Sequence, residues 1–186
     1  MTPDLSILIC SLHDRGTHRT RLMNQIAHQP PELLDRCQVL IDIDHGQTPI
    51  GTKRNRLLTG SIGRYVVFID DDDTITDDYL EQIFTGIDKD VDHVGISMWY
   101  MPSNRSRAWK VECSKDHDWT MDGDIYLRPP QHVCAVKREL ALQARFPDTS
   151  FGEDRQYAER LKELVKTEYL VPDPIYHYLY VEGKDK

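Results

Sequence analysis

The stretch Arg64-Tyr-Val-Val-Phe-Ile-Asp-Asp-Asp-Asp73 constrains this chain more than any other. Tyr65 to Ile69 is a run of aromatic and β-branched residues with the composition of a buried strand. Four carboxylates follow at its C-terminal end. Like charges spaced at ~4 Å repel by ~1 kcal/mol in water and by ~4 kcal/mol at an effective dielectric of ~20. A chain that sets them at the edge of its core needs a compensating charge, and a divalent cation supplies one. The plainer alternative is an acidic turn that merely ends a strand.

The flanking pattern sets the fold class. Leu5 to Cys10 is a near-continuous apolar run, suited to a parallel strand covered on both faces. A helix is expected over Thr17 to His28, stopped by Pro30 and Pro31, then a strand over Gln38 to Ile43 and a basic helix over Thr52 to Leu58. After the aspartates, Thr76 is the expected N-cap of a helix whose apolar stripe is Leu80, Ile83, Phe84 and Ile87. Val91 to Met98 is the next strand. This β-α-β-α-β-α-β order predicts an α/β sheet, mostly parallel, with helices on both faces. Ligands of such sheets gather beyond the carboxyl ends of the strands, so the loops after Cys10, Ile43 and Ile69 should open onto one crevice.

The second half changes character. Trp99, Trp109 and Trp119 lie among Arg105, Arg107 and Lys110 between Trp99 and Pro130, which predicts a strand–loop–strand insertion. Strands are expected over His132 to Val136, Tyr169 to Val171 and Ile175 to Val181, with helices over Lys137 to Arg145 and Glu153 to Lys166.

At 186 residues, with 39% hydrophobic and 29% charged side chains, the chain suits one domain with one core. It holds no apolar run of about 18 residues and opens without the basic and apolar regions of a signal peptide, which makes cytoplasmic residence the default expectation. Cys10, Cys37, Cys113 and Cys134 are too scattered for a Cys-X-X-Cys clasp. A net charge of −8 argues against a broad phosphate-binding face but leaves room for a local basic patch. Neither a Gly-X-Gly-X-X-Gly turn nor a Gly-Lys-Ser/Thr phosphate loop is present. An EF-hand reading of Asp70 to Glu81 fails at its sixth position, where Ile75 replaces glycine. What remains is Asp-X-Asp after a buried strand, as Asp70-Asp71-Asp72 or, shifted by one, Asp71-Asp72-Asp73. That spacing lets a sheet edge hold Mg²⁺ or Mn²⁺ against a diphosphate, whose departure the cation eases.

Four features in order, Ser6 to Arg15, Gly51 to Arg56 followed by Gly63 to Asp73, Phe151 to Asp154, and His177 in Tyr176-His177-Tyr178, resemble a family 2 glycosyltransferase of the GT-A (nucleotide-diphospho-sugar transferase) fold. The resemblance covers most of the chain. It implies a single Rossmann-like GT-A domain with a small antiparallel acceptor-side portion, residues 1–98 binding the nucleotide sugar and 99–186 facing the acceptor. It implies a metal-dependent, inverting transfer from a nucleotide-diphosphate sugar, a UDP-sugar by preference, with Mn²⁺ or Mg²⁺ as cofactor. Asp154 is the implied base, with Glu153 orienting hydroxyls; otherwise both simply complement the helix dipole. Asp70, Asp72 and His177 are the implied metal set, although His177 also reads as an ordinary half-buried strand histidine. Ser11, Asp44, Lys53, Arg54, Asp70, Asp71 and His132 are the implied donor-binding residues. Arg56 and Arg64 read as surface charges.

With the given chain ending soon after His177, the acceptor is expected to meet the Trp99–Pro130 insertion together with the Asp154 helix, the insertion's tryptophans either stacking on a ring or packing as its core. An acceptor glycan or a lipid-linked sugar is the implied partner, and Arg105, Arg107 and Lys110 leave a modified nucleic-acid base as a further one. A nucleotidyltransferase is the enzymatic alternative; it would carry a Gly-rich loop after the first strand, where Ser11 to Gly16 is not Gly-rich. The other alternative is an inactive sugar- or nucleotide-binding module.

Overall fold

The computed structural model describes residues 2–103 and 107–180. Chain order is β1 (Leu5–Leu12), α1 (Gly16–Ala27), α2 (Pro31–Leu34), β2 (Cys37–Asp44), α3 (Ile50–Gly60), β3 (Tyr65–Phe68), β4 (Thr74–Ile75), α4 (Tyr79–Ile87) and β5 (His93–Pro102). The remainder is β6 (Trp109–Cys113), β7 (Thr120–Asp122), β8 (Ile125–Arg128), β9 (Ala135–Lys137), α5 (Arg138–Ala144), α6 (Glu153–Leu164) and β10 (Glu168–Tyr180). No helix among the described residues is long and apolar enough to cross a membrane.

The strands form one mixed sheet in the order β2-β1-β3-β9-β5-β6-β8-β7, with β10 pairing both β5 and β4. Its centre is the expected parallel unit: β1 runs parallel to β2 on one side and to β3 on the other. Period-two alternation divides each central strand between two core layers. Leu5, Ile7 and Ile9 of β1 join Tyr65 and Val67 of β3 in the layer under α1 and α4. Leu8, Cys10, Val66 and Phe68 face the other way, onto α3, α5 and α6. With both faces covered, the strands need the unbroken apolar composition that the sequence displays.

Three elements differ from expectation. Thr76 does not cap α4: its N–H bonds the Ile175 carbonyl at 3.1 Å, which holds it in the sheet, and the helix starts at Tyr79 with Asp78 at the cap position. The strand expected over His132 to Val136 forms only at Ala135–Lys137, antiparallel between β3 and β5. Its first residues instead make a turn, with Cys134 N–H on the Gln131 carbonyl and Phe68 N–H on the His132 carbonyl at 3.0 Å. The two closing strands are one strand, β10, whose register against β5 shifts around Pro174; prolines in sheets are confined to such irregularities and edges. Val181 and Arg105 lie outside the described residues.

Candidate active site

The four aspartates turn in four directions. Asp73 N–H bonds the Asp70 carbonyl at 3.2 Å, closing a turn that splays the side chains. Asp70 accepts from Arg54 at 3.2 Å and contacts His132 Nε2 at 3.2 Å. Asp71, buried, accepts from Ser11 Oγ at 2.6 Å and from Arg15 at 2.9 Å. Asp72 is partly exposed and meets Arg15 at 3.2 Å. Asp73 faces inward, accepting from the Tyr176 hydroxyl at 2.6 Å and from Leu179 N–H at 2.8 Å. Arg21 adds donors to the Asp72 and Asp73 carbonyls. The charge of the tip is thus partly compensated by arginines of the protein itself.

Electrostatics separate the four. Burial alone pushes the Asp70 carboxyl up, but His132 and Arg54 outweigh it and hold the group below the usual carboxylate range. Burial pushes the Asp72 carboxyl up against the opposing Arg15, with Asp70 and Asp71 adding to the rise. Asp73 is pushed up to about 8 by burial and by Asp70, against the hydrogen bond from Tyr176. Arg15, Tyr176 and the inward turn of Asp73 are features that sequence reasoning missed. Arg15 was visible only as one cation of a polar loop, and Tyr176 as the neighbour of a histidine.

On the β1–β2 side, Lys53 is buried and donates to the Ser11 carbonyl at 2.6 Å and to Asp44 Oδ1 at 2.8 Å. Asp44 also accepts from the N–H groups of Gly46 and Thr48, each at 3.1 Å, and Lys53 first among these partners holds its carboxyl well below the usual range. These contacts make Lys53 and Asp44 the brace that fixes the loop after β2. Above it the exposed rings of His13 and His45 stack at 4.6 Å. The loops after β1, β2 and β3 therefore do meet, through Ser11, Lys53 and the aspartates.

On the other side, Arg54 is buried and joins three elements. It donates to Glu153 at 2.7 Å and to Asp70, and lies 3.1 Å from His132 Nε2. Glu153 and Asp154 occupy the first turn of α6, entered through Gly152 at φ 72°, a left-handed conformation that glycine adopts without strain. Glu153 is held by Arg54. Asp154 accepts only from the adjacent Arg155 N–H, at 2.7 Å, and has no ion pair among the described residues.

Two cavities meet over this ring. A smaller one of about 220 Å³ is lined by Arg15, Asp71 and Asp72. A larger one of about 730 Å³ is lined by His132, Glu153, Asp154 and aromatic residues of the β6–β8 region. Arg54, Asp70 and Tyr178 line both.

The expected metal set is only partly brought together. Among the described residues no three His, Cys, Asp or Glu side chains converge as ligands. His177 lines neither cavity; its Nδ1 meets Thr74 Oγ1 at 3.3 Å. Alternation along β10 accounts for this, because Tyr176 and Tyr178 face the aspartates and the residue between them points the other way. Asp70 and Asp72 still suit a hard cation, which is commonly held by one or two carboxylates together with substrate phosphates. Asp72 fits best, since its surplus negative charge is opposed by one shared guanidinium.

The sequence profile of glycosyl transferase family 2 matches residues 29–146, more than half of the chain. The chain belongs to this family. The match spans α3, the aspartates and the whole insertion, and stops before Asp154. Among solved structures, S. aureus TarS residues 1–349 in complex with UDP-GlcNAc aligns with a TM-score of 0.72 at 15% identity. The alignment covers 97% of this chain and 60% of that one. The same protein in complex with UDP aligns at 0.70 and 14% identity, covering 95% of this chain and 60% of that chain. The longer S. aureus TarS structure aligns at 0.68 and 15%, covering 95% and 37%. These likenesses establish a GT-A glycosyltransferase fold; this chain spans 60% of the first aligned chain's length. No curated protein sequence matches it.

Proposed function

We propose that this chain is an inverting glycosyltransferase that moves a sugar from a UDP-sugar to an acceptor hydroxyl. One observation carries the reading: Asp154, the carboxylate of its pair that forms no ion pair among the described residues, lines the same cavity as Asp70. UDP and UDP-GlcNAc in the aligned S. aureus TarS structures support a uridine donor.

In this reading the smaller cavity takes the diphosphate and the larger one the acceptor, with residues 2–98 forming the donor half and 99–180 the acceptor half. Arg15 faces the diphosphate, and His13 with His45 offers the base a stacking surface. Mn²⁺ or Mg²⁺ at Asp72, supported by Asp70, would offset the negative charge of the departing diphosphate. Asp154 takes the proton from the acceptor oxygen as that oxygen bonds to the anomeric carbon and UDP leaves from the opposite face. The first turn of α6 holds this carboxylate at the cavity wall. Glu153 acts at one remove, by fixing Arg54 against Asp70.

The test is a thermal-shift panel of nucleoside diphosphates with and without Mn²⁺, followed by donor turnover. UDP should raise the melting temperature most, and more with Mn²⁺, because a ligand that binds only the folded state stabilises it. UDP release from UDP-sugars should then exceed that of an Asp154→Asn variant. Stabilisation by UDP-sugar with no release above that variant would leave a binding module in place of an enzyme.

A further inference from the structure

Arg128 ends β8 and lines the larger cavity. Its guanidinium carbon lies 5.2 Å from the centre of the Trp119 ring and 5.0 Å from that of Tyr126. One of its nitrogens, Nη1, donates to the carbonyls of Leu127 at 2.8 Å and Thr120 at 3.4 Å. Unlike Arg15, Arg54 and Arg155, it has no carboxylate partner among the described residues.

A half-buried guanidinium without an anion is unusual, because desolvating a cation is costly unless it is paired. The effect is visible in the group itself, which burial pushes below the usual arginine range. Trp119 adds a second unmet demand: its indole N–H is buried and has no hydrogen-bond partner among the described residues. The same ring carries the guanidinium of Arg155 at 5.4 Å. Its neighbour Asp118 is tied to Lys162 of α6 at 2.6 Å, so the ring is anchored to the helix that presents Asp154. A chain with net charge −8 thus places a positive, aromatic lobe on the acceptor side of its candidate base.

An arginine held against aromatic faces presents a planar fork that matches a carboxylate or phosphate, and an indole face stacks on an apolar ring face. Of the carboxylates lining this cavity, Asp70 and Glu153 are both paired with Arg54 and Asp73 is bonded to the Tyr176 hydroxyl, which leaves Asp154, the proposed base, as the one facing the lobe. We propose that Arg128 and Trp119 form an acceptor subsite for an anionic sugar, one carrying a carboxylate or phosphate on the ring that receives the transferred group. The proposal rests on the glycosyltransferase reading and names the acceptor class for it.

The indole N–H of Trp119 reports on the subsite directly. In ¹⁵N-labelled protein its signal is assigned with Trp119→Phe, then followed during titration with glucose, glucuronate and glucose 6-phosphate in the presence of UDP and Mn²⁺. Both anionic sugars should shift it at about tenfold lower concentration than glucose, a discrimination in the range of one charge-assisted hydrogen bond. Arg128→Gln should erase the preference, and Arg128→Lys, which keeps the charge without the fork, should retain part of it. Equal responses to glucose and glucuronate, or a preference that survives Arg128→Gln in folded protein, would overturn the subsite. So would a response to UDP-glucuronate without one to free glucuronate, which would assign the anion to the donor. UDP affinity measured on the same samples separates the two readings. Failure to bind UDP sinks both, whereas UDP binding without an anion preference sinks only the subsite.

Discussion

Arg54 and Glu153 stand 99 positions apart in the chain and meet at 2.7 Å in its interior. The contact joins α3 to the first turn of α6, while the other arm of the same guanidinium reaches Asp70 at the tip of β3. A single buried cation therefore registers the acidic tip against the helix that carries Asp154. Removing it would leave Glu153 without its ion-pair partner and Asp70 with His132 alone among the described residues. Arg54→Met should lower folding stability by about 3–5 kcal/mol, the cost of breaking a buried pair. Arg54→Lys should recover part of that, since it restores the charge but not the fork. Urea denaturation of the three proteins checks both expectations.

Asp154 and Glu153 are adjacent in sequence and opposite in their expected effects. Asp154→Asn removes the proposed base without breaking an ion pair, so its turnover should fall by about 10²–10⁴-fold. Its stability should change by no more than the ~0.3–1 kcal/mol of a helix-terminus charge. Glu153→Gln should instead reduce stability measurably, because Arg54 loses a full charge partner. Steady-state kinetics and chemical denaturation on both variants separate the roles. Full turnover in Asp154→Asn would remove it as the base.

Gly51 opens α3 against the loop that leads into α6. A Cβ built there would stand 1.9 Å from the Pro147 carbonyl oxygen, which is backbone and cannot rotate away. Gly51 N–H also bonds the Thr149 carbonyl at 3.1 Å, so helix and loop are in direct contact. Gly51→Ala should cost about 1–3 kcal/mol, the range for overpacking a close contact. It should also lower turnover, because the displaced loop runs through Gly152 to Asp154. A melting curve and a turnover assay suffice, and an unchanged melting temperature would show that the loop yields freely.

Much of this was legible in the chain. The strands β1, β2 and β3 are apolar runs bounded by turn residues, and burial on two faces leaves little other use for Leu5–Cys10 or Tyr65–Ile69. The aspartates could be picked out because they follow a buried strand, and Asp154 through the family resemblance, which its place at the start of a helix supports. What the sequence hid was pairing across distance. Lys53 reads as a donor-binding cation before the acidic strand, yet its buried ammonium is committed to Asp44 and Ser11. His177 sits in the expected segment, but the sense of strand alternation decides its direction, and only the ladder with β4 and β5 sets that. Arg128 gave no local signal, because what distinguishes it is the lack of a carboxylate partner among the described residues.

Stability should also depend on pH far from the proposed catalytic residues. His93 of β5 is fully buried, with Nδ1 at 2.7 Å from Glu168 of β10. Burial alone would push its pKa down, but Cys134 and Glu168 outweigh burial and push it up to about 9. The part of this rise owed to Cys134 is matched by the proton that its own thiol, lowered well below the usual thiol range, gives up on folding, so the net proton kept by the folded protein is the part owed to Glu168. For a base raised on folding, the stabilisation is complete below the unfolded value and is lost as pH climbs through the folded one. The window lies between about 6.5 and about 9. Melting temperatures should thus fall between pH 6.5 and 9. Glu168→Gln should flatten the decline, since the imidazolium loses its carboxylate, at the cost of lower stability at pH 6 through the hydrogen bonds Glu168 also accepts from Ser114 and Lys115. A melting profile equally steep in both proteins would place the proton elsewhere.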